Sequence, residues 1–448
     1  MKVVVLGAAS RGLQLARYLI EEKNELVIIE PSRRLASQAS SQLDCLVITG
    51  SGNSLPVLKE AGVGDADFFA ALSDSDEVNL VACALAGGES KSLTTAACIR
   101  NLTYLDIQDV SESLMGVDYI VNPEAEAAAS LYENLEQGGF GEVVTFKKSG
   151  LVFHNVILPR DSRFVGKHVK TIRRYMNRYN FLIAGINRES GAFIPSGETV
   201  IEGGDVLSMV AEGRGISRIF QTLGKRIKKI RSLLLIGGSK TAWFLLKNYT
   251  SRERSRFTLV DRDSETCKLF ASQYPEILVI KSDVTDEGLF DDLDPLSYDV
   301  ILVLTDNDEL NIVTALYARK LGLERALILL NNSRYLKLAS SLGIDSAVSV
   351  PRSTVNSVIR FIRGKRYSHF QSIFDGQIEI YEFTLKKHSD LAEKKLREIN
   401  MKGHGLIVNI NRRGKRLLPS GETVLKPGDT LVVTVERSSL GHIQKLFS

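Results

Sequence analysis

Short apolar runs alternate along the chain with segments whose apolar residues recur at helical spacing. The run KVVVLG at 2–7 precedes a segment with apolar Leu13, Leu15 and Leu19, and the run ELVIIE follows at 25–30. The runs CLVIT, FFAALS, LTTAACI and VDYIVNP come next, with helical patterns at 35–43, 54–60 and 77–86 among them. Because strands buried on both faces are almost continuously apolar, this alternation predicts a parallel sheet covered by helices on both sides.

The second half of the chain repeats this order of elements. It contains the apolar runs RSLLLIGG, FTLVD, ILVIK, DVILVLTDNDELN and RALILLN. The closest match is LSDSDEVN at 72–79 against LTDNDELN at 304–311, where a strand end carries hydroxyl and acidic residues and leads into a helix. One copy per half indicates an old duplication rather than a short-period repeat architecture.

A smaller unit follows each α/β unit. The stretches PSGETVIEGGD at 195–205 and PSGETVLKPGD at 419–429 differ at few positions, and hairpin patterns precede both. Pro-Ser-Gly-Glu and Gly-Asp are typical of turns, so we interpret the repeated stretch as the turn that closes each small unit.

The predicted fold class is therefore α/β, with two Rossmann-like doubly wound parallel-sheet lobes, each followed by a small α+β lobe. We place the first large lobe at 1–122, a connecting helix at 123–141 and the first small lobe at 142–223. The second large lobe is placed at 224–350, its connecting helix at 351–370 and its small lobe at 371–448. The charge run GKRIKKIR at 224–231 is interpreted as a solvated helix end, with a membrane-surface or partner contact as the alternative.

Composition narrows the class of protein. A net charge of +4 is small for 448 residues, so no nucleic-acid or anionic-membrane partner is required. The apolar runs are far shorter than the roughly 20 residues that cross a bilayer, and MKVVVLG resembles a strand rather than a signal peptide. The four cysteines lack CxxC spacing, and three of them lie in apolar runs as buried thiols, so we expect a cytoplasmic protein (Cys45, Cys83, Cys98 and Cys267).

The loop GAASRG at 7–12 approximates the dinucleotide-binding fingerprint GxGxxG between a strand and a helix. Gly7 permits the tight turn, Gly12 permits close helix–strand packing, and the methyl group of Ala9 narrows the approach of the backbone to a pyrophosphate.

Glu30 ends the next strand, where a ribose-binding acid belongs. Its carboxylate favours NAD(H) or ATP/ADP over NADP(H), although Arg33 and Arg34 weaken the exclusion of a 2′-phosphate. The predicted nucleotide-binding residues here are Gly7, Ala8, Ala9, Ser10, Arg11, Gly12 and Glu30. The alternative is a Rossmann fold whose glycines serve packing only.

The loop GGSKTA at 237–242 repeats the arrangement with bulkier residues at two glycine positions, Ser239 and Ala242. Asp261 supplies the acid at the end of the next strand, and Lys240 is a candidate phosphate ligand. The predicted binding residues are Gly237, Gly238, Ser239, Lys240, Thr241 and Asp261. We expect weaker binding at this second site.

Further candidates stand at the carboxyl ends of the strands, where ligands of such sheets bind. They are Ser73, Asp74 and Arg100 in the first half, and Thr305 and Asp306 in the second. For Arg100, whose counterpart is Asn331, a surface ion pair is the alternative. Helix capping is the alternative for the acids and amides nearby (Asp74, Asp76, Asn79, Asp306, Asp308 and Asn311).

No catalytic or metal-binding motif accompanies these loops. The six histidines are scattered and HExxH is absent, and we find no nucleophile elbow or Cys/His dyad. A dehydrogenase would need a proton-transfer group beside its cofactor. A duplicated nucleotide site without such a group suggests a sensor; an NAD-dependent oxidoreductase is the main alternative. A transcriptional redox sensor would need a helix-turn-helix segment, and we find none.

Several stretches carry a family resemblance, in the order large lobe, small lobe, large lobe, small lobe. They are KVVVLGAASRG, LVIIE, ADFFAALSDSDEVNLVACALA, CIRNLTYL and PSGET…GGD in the first half, and LLLIGGSKTA, FTLVDRDSE, VILVLTDNDELNIVTALYARKLG and LLPSGETVLKPGD in the second. Over nearly its whole length the chain resembles the TrkA family, the cytosolic regulatory subunits of Trk-type potassium uptake systems, which are built from RCK domains.

The resemblance implies regulation without enzymatic turnover. It implies NAD(H) or adenine nucleotides as ligands of the large lobes, with phosphate loops at 7–12 and 237–242 and ribose acids Glu30 and Asp261. It also implies a homo-oligomer, a tetramer, that forms a ring beneath a membrane potassium-translocating subunit. The chain would then lie in the cytoplasm, peripheral on the inner face of the cell membrane. The sequence departs from the family pattern at Ala9, Ser239, Ala242 and Asn331.

Overall fold

The fold comes from a computed structural model. The structure describes residues 1–101, 103–104, 116–136, 142–146, 151–175, 181–211, 230–286, 288–364, 369–374, 376–399, 401, 405–439 and 443. The charge run predicted at 224–231 lies outside the described residues, except for Ile230 and Arg231. In this part of the chain, no helix has both the length and the apolar character needed to cross a membrane.

The first large lobe, N-lobe 1, is a six-stranded parallel sheet with helices on both faces. Its strands are β1 Lys2–Leu6, β2 Glu25–Glu30, β3 Leu46–Thr49, β4 Phe68–Ala71, β5 Thr94–Cys98 and β6 Tyr119–Val121, in the order β3-β2-β1-β4-β5-β6. Its helices are α1 Ser10–Glu21, α2 Arg33–Gln42, α3 Leu55–Glu60 and α4 Asp76–Glu89, with a 3-10 turn at Val63–Asp65. Helix α5, Pro123–Glu136, leads out of the lobe.

The first small lobe, C-lobe 1, is an antiparallel sheet. Its strands are β7 Glu142–Phe146, β8 Leu151–Ile157, β9 Phe181–Arg188, β10 Gly191–Phe193 and β11 Val206–Ala211, in the order β10-β9-β11-β8-β7, and α6 spans Val169–Tyr175. The repeated PSGET…GD stretch closes the lobe. Asp205, which is 1% exposed, accepts hydrogen bonds from Arg188 Nε at 2.8 Å and Nη2 at 2.9 Å. A two-bond arginine–carboxylate pair fixes both distance and orientation, so this pair holds the end of the stretch against β9.

The second large lobe, N-lobe 2, repeats the first. Its strands are β12 Leu233–Ile236, β13 Phe257–Asp261, β14 Leu278–Lys281, β15 Val300–Val303, β16 Ala326–Leu330 and β17 Ser346–Ser349, in the order β14-β13-β12-β15-β16-β17. Its helices are α7 Lys240–Lys247, α8 Ser251–Arg254, α9 Ser264–Gln273, α10 Leu289–Leu293, α11 Asp308–Lys320 and α12 Tyr335–Ser341, with a 3-10 turn at Pro295–Ser297. Helix α13, Val350–Gly364, leads out of the lobe.

The second small lobe, C-lobe 2, has the topology of the first. Its strands are β18 His369–Ile373, β19 Ile378–Thr384, β20 Gly405–Arg412, β21 Lys415–Leu417 and β22 Thr430–Glu436, in the order β18-β19-β22-β20-β21. Short 3-10 turns lie at Leu396–Glu398 and Arg437–Ser439. Asp429 again accepts from Arg412 Nε and Nη2, both at 2.8 Å. The predicted fold class is confirmed: two Rossmann-like lobes and two small lobes alternate along the chain.

The two helices that leave the large lobes cross to the opposite half. Helix α5, which follows the first sheet, packs Ala127, Leu131 and Leu135 into the core of N-lobe 2. Helix α13, which follows the second sheet, packs Val358 and Ile359 into the core of N-lobe 1. Burial of the leucine, valine and isoleucine side chains among these contributes about 1.5–3 kcal/mol each, so the crossing binds the two halves into one unit.

The small lobes also pack against each other. Phe153 and Leu182 from C-lobe 1 share a buried cluster with Ile378, Ile380 and Val432 from C-lobe 2. The apolar cluster of N-lobe 1 and α13 continues into C-lobe 2. Among the described residues, the main apolar cluster of C-lobe 1 stays within that lobe.

Candidate nucleotide-binding sites

The first glycine loop turns tightly between β1 and α1. Gly7 has φ +101°, which favours glycine, and its N–H donates to the carbonyl of Ile29 at 2.8 Å. A Cβ at Gly12 would stand 1.8 Å from the carbonyl oxygen of Gly7, so any side chain there would collide with the backbone. Ala9 precedes α1 without a side-chain cap. The first amides of α1 are therefore left for an anion, which a helix N-terminus favours.

Glu30 holds this loop against the end of β2. Its side chain is 5% exposed, Oε2 accepts from the N–H of Ala8 at 2.7 Å, and Oε1 accepts from the N–H of Ser32 at 2.9 Å. Each carboxylate oxygen has room for a second donor. The carboxylate thus orients the loop and keeps acceptor capacity where a ribose would lie.

Arg11 points across the carboxyl edge of the sheet. It is 8% exposed, its Nη2 lies 2.5 Å from Asp74 Oδ1, and its Nη1 donates to Cys98 Sγ at 3.4 Å. Burial raises the pKa of the Cys98 thiol to about 11, so this cysteine is neutral. Arg11 and Asp74, both predicted from the sequence, are therefore direct neighbours at the loop.

Asp76 and Asn79 cap the edge of the first sheet. The carboxylate of Asp76 accepts from the N–H groups of Arg100, at 3.0 and 2.9 Å, and of Asn101 at 2.7 Å. Asn79 Oδ1 accepts from the N–H of Ser73 at 3.0 Å and from its hydroxyl at 2.7 Å. Both side chains organise the backbone at the strand ends, whereas the N-cap of α4 is the serine that precedes Asp76.

Arg100 pairs with the helix that leaves the lobe. Its Nε donates to Glu124 Oε1 at 2.7 Å, and Glu124 stands in the first turn of α5. Half of the Arg100 side chain is exposed and Glu124 is buried. The ion pair expected as the alternative for Arg100 is present, and it joins the sheet edge to α5.

The second loop follows the same backbone path as the first, but glycine is required at a different position. Gly237 has φ +97°, and its N–H donates to the carbonyl of Val260 at 2.9 Å. A Cβ at Gly238 would stand 2.4 Å from Cγ2 of Thr266. The hydroxyl of Ser239 accepts from the N–H of Ala242 at 3.3 Å. This loop therefore caps its own helix, which leaves fewer free amides than the first loop has.

Asp261 repeats the role of Glu30. Its Oδ2 accepts from the N–H of Gly238 at 2.6 Å, and its Oδ1 accepts from the N–H of Asp263 at 2.8 Å. Thr305 donates through its N–H to Asn311 Oδ1 at 3.2 Å, while Asp306 is exposed and Thr241 is buried. The second site thus keeps the carboxylate and the capped edge.

Lys240 is turned toward the first site. Its Nζ donates to the carbonyl of Arg100 at 3.3 Å, across the boundary between the two large lobes. In the reverse direction, Gln14 Nε2 on α1 donates to the hydroxyl of Ser333 at 2.6 Å. The edges of the two sheets therefore face each other. Sequence spacing missed Gln14, Ser333 and Glu124, because contacts between distant segments leave no local pattern.

Beside the loops, the described residues include few groups that could take part in a reaction. Among the described residues, no three His, Cys, Asp or Glu side chains are grouped so that they could hold a metal ion. His154 lies in β8 of C-lobe 1, where burial lowers its pKa to about 4. The hydrogen-bonding groups at the loops include backbone amides, hydroxyls and cationic side chains, which can bind an anionic group, and carboxylates, which can accept from the hydroxyls of a ligand.

Known families match most of the chain. The TrkA-N domain family matches residues 3–123 and 233–350, and the TrkA-C domain family matches residues 153–224 and 380–448. Curated relatives align from end to end. The Trk system potassium uptake protein TrkA homolog 1 of Methanosarcina mazei is 28% identical over 454 residues, covering 100% of both chains. The Trk system potassium uptake protein TrkA of Haemophilus influenzae is 26% identical, covering 100% of this chain and 98% of that protein.

Solved structures share the fold. The GsuK channel bound to NAD has a TM-score of 0.58 and 18% identity, covering 100% of this chain and 78% of that one. The GsuK RCK domain has the same TM-score of 0.58, and the match covers 100% of this chain and 94% of that one. The two copies of each domain occur in the order that the strands and loops show. The chain therefore belongs to the TrkA family, as a tandem of two TrkA-N and two TrkA-C domains.

Proposed function

We propose that this chain is a cytosolic regulatory subunit that gates a Trk-type membrane potassium transporter and binds NAD(H) or ATP/ADP as ligands without turnover. The observation that carries the proposal is the pair of glycine loops, each held by a carboxylate at the end of the following strand. The full-length relatives are named as Trk-system potassium uptake proteins.

Nucleotide binding is supported at both loops by backbone geometry. The positive φ at each first glycine makes the tight turn from strand to helix, and the adjoining helix N-terminus supplies the positive end of its dipole. Glu30 and Asp261 would accept the ribose hydroxyls, and Arg11 and Arg100 stand at the first edge as cations. A related fold has been solved as the GsuK channel bound to NAD, which makes a dinucleotide a suitable probe.

The residues at these sites bind and orient rather than react. The thiol of Cys98 is held neutral by burial, and each oxygen of the Glu30 carboxylate accepts from one backbone amide and can accept from a second donor. We infer that the nucleotide stays intact and biases the shape of the protein. A tenfold preference for one conformation corresponds to about 1.4 kcal/mol per site, and such preferences multiply in a coupled assembly.

The proposed partners follow from the family. We propose a homo-oligomer, a tetramer, that lies on the cytoplasmic face of the membrane through contact with a potassium-translocating subunit. Closed symmetry is the usual outcome for homo-oligomers of soluble chains. Light scattering at micromolar concentration should give the mass of four chains, and a monomeric mass would contradict this part of the proposal.

The experiment combines binding and transport. Deletion of the chain should lower potassium uptake at low external potassium, and the intact chain should restore it. The Gly7→Val, Gly237→Val double variant should restore uptake poorly and should bind nucleotide weakly in calorimetry, because both positions need positive φ. Gly64→Ala is the matched control, since a Cβ there meets nothing within 4 Å. Normal uptake without the chain would refute the regulatory role.

The main alternative, an NAD-dependent oxidoreductase, makes a different prediction. It requires sustained consumption of the nicotinamide cofactor with some metabolite, whereas a regulatory ligand is recovered unchanged. Chromatography of the nucleotide after binding should return NADH, ATP or ADP intact. Stoichiometric conversion during binding would favour the enzyme.

A further inference from the structure

A buried polar cluster joins the end of α1 to C-lobe 2. The cluster consists of Tyr18 on α1, Glu22 directly after that helix, Arg363 on α13, Glu379 and Tyr381 on β19, and Arg437 after β22. We call these six residues the α1 joint. It lies at the opposite end of α1 from the first glycine loop.

The contacts in the joint converge on one carboxylate. Glu379 is 0% exposed, and it accepts hydrogen bonds from the hydroxyls of Tyr18 and Tyr381. Arg363 Nη1 donates to the Tyr381 hydroxyl at 2.9 Å, and its Nη2 lies 3.7 Å from Glu379 Oε1. The same guanidinium pairs with Glu22. A buried charge is costly unless it is paired, so these partners hold each other in place.

A second arginine, Arg437, contacts the last turn of α1. The guanidinium of Arg437 lies 3.8 Å from the centre of the Tyr18 ring, donates to the carbonyl of Tyr18, and pairs with Glu21 at 2.8 Å. A cation over an aromatic face adds about 0.5–2 kcal/mol. The last turn of α1 is therefore bound to C-lobe 2 by hydrogen bonds, ion pairs and stacking together.

The other end of α1 is fixed to the nucleotide loop. Gly12 lies so close to Gly7 that a Cβ would stand 1.8 Å from its carbonyl oxygen, and Leu13 donates through its N–H to the carbonyl of Ala9 at 3.0 Å. Leu15 and Leu19 continue the buried face of α1 into the cluster shared with C-lobe 2. A helix of 12 residues is thus fastened at both ends.

Among the described residues, the second half does not repeat this connection. Helix α7 has 8 residues, and the position that matches Tyr18 is the exposed Asn248, whose Nδ2 donates to the carbonyl of Phe244 at 3.0 Å. In the sheet register, His154 pairs with Met209 as Tyr381 pairs with Val433, so a histidine replaces the tyrosine. Val152 correspondingly replaces Glu379. In the part of the chain that the structure describes, such a joint therefore forms between a first helix and a small lobe only at α1 and C-lobe 2.

We propose that α1 acts as a lever that passes the nucleotide state of the first loop to C-lobe 2 through the α1 joint. The inference rests on the proposed function, because it requires a nucleotide at the first loop. A rigid element fastened to two sites couples them whenever a ligand prefers one of its positions. C-lobe 2 therefore responds to the first site, whereas the described residues give the second loop no equivalent route.

The test is hydrogen exchange of the full chain with and without ATP, ADP and NADH, read on peptides that cover β19. The wild type should show a nucleotide-dependent change there. Tyr18→Phe and Glu379→Gln should each reduce that change at least twofold, while calorimetric nucleotide affinity stays within about threefold. Tyr249→Phe, at the end of α7, is the matched control and should behave like the wild type.

The outcomes separate the two proposals. A nucleotide-dependent change in β19 that persists in both joint variants would overturn the lever, and so would a wild type that binds nucleotide without any change in β19. Calorimetry on the wild type comes first: absence of binding there would refute the proposed function itself. If Glu379→Gln fails to fold, Tyr18→Phe removes one hydroxyl and decides the question alone.

Discussion

The two large lobes have the same strand order but require glycine at different places in their loops. In the first loop the third fingerprint position must be Gly12, whereas the second loop has Ala242 there, buried without conflict. In the second loop Gly238 has no room for a Cβ, whereas the first loop has Ala8. The two loops therefore follow the same backbone path, but the position at which neighbouring atoms exclude a Cβ differs between them.

The halves also differ in how their first helix ends. Helix α1 continues into the joint with C-lobe 2, while α7 stops earlier at an exposed asparagine. C-lobe 2 shares a buried cluster with N-lobe 1, and the main cluster of C-lobe 1 is confined to that lobe in the described residues. Duplication preserved the fold of each lobe and the crossing of α5 and α13, but in the described residues it did not preserve the contact of a first helix with a small lobe.

The largest effect on stability should come from the third glycine position of the fingerprint, which is Gly12 in the first loop and Ala242 in the second. Gly12→Val should lower the free energy of unfolding by about 3 kcal/mol, because its side chain would overlap the backbone of Gly7. Ala242→Gly should cost about 1 kcal/mol, the difference in helix propensity. Urea denaturation of both variants measures the two changes in the free energy of unfolding. Equal costs would show that the loops are equivalent.

The next effect concerns the carboxylate at the end of β2. Glu30→Ala should lower affinity for NAD(H) or ATP at least tenfold, because about 1.5–3 kcal/mol is lost with each hydrogen bond to a charged group. Calorimetry measures the change, and Glu25→Ala at the exposed start of the same strand is the control. Unchanged affinity would show that Glu30 is not the ribose acid.

Acid should destabilise the two small lobes unequally. Burial lowers the pKa of His154 to about 4, below its unfolded value of about 6.5, so the unfolded chain binds the extra proton between these values. Stability is therefore intact above about pH 6.5 and falls by up to about 3 kcal/mol as the pH drops toward 4. Thermal melts of wild type and His154→Phe across this range measure the effect. Parallel pH dependence in both would exclude His154 as the cause.

The smallest effect is the ranking of the two sites. The first site should bind nucleotide more tightly, by a few-fold to tenfold, because Ala9 leaves the helix amides free and Ser239 caps its own. Titration of the Gly7→Val and Gly237→Val variants should therefore show a larger loss from Gly7→Val. Equal losses would remove this difference between the loops.

Much of the fold could be read from the sequence because its determinants are local. The apolar runs predicted the strands, and the predicted helix at 77–86 extends over Asp76–Glu89 with Ser75 as its cap. Two of the predicted starts were displaced by one or two residues: the helix expected at 54 begins at Leu55, and the one expected at 35 begins at Arg33. Caps and apolar spacing act within a few residues, so they appear in the sequence itself.

By itself the sequence determined the two Rossmann-like lobes, the glycine loops and the carboxylates that follow them. Only the tertiary structure decided that α5 and α13 exchange halves, that Lys240 reaches the edge of the first site, and that Tyr18 meets Glu379. The physical reason is that a strand or a capped helix is specified by neighbours along the chain. A contact between lobes depends on the surfaces that two distant, already folded segments present to each other.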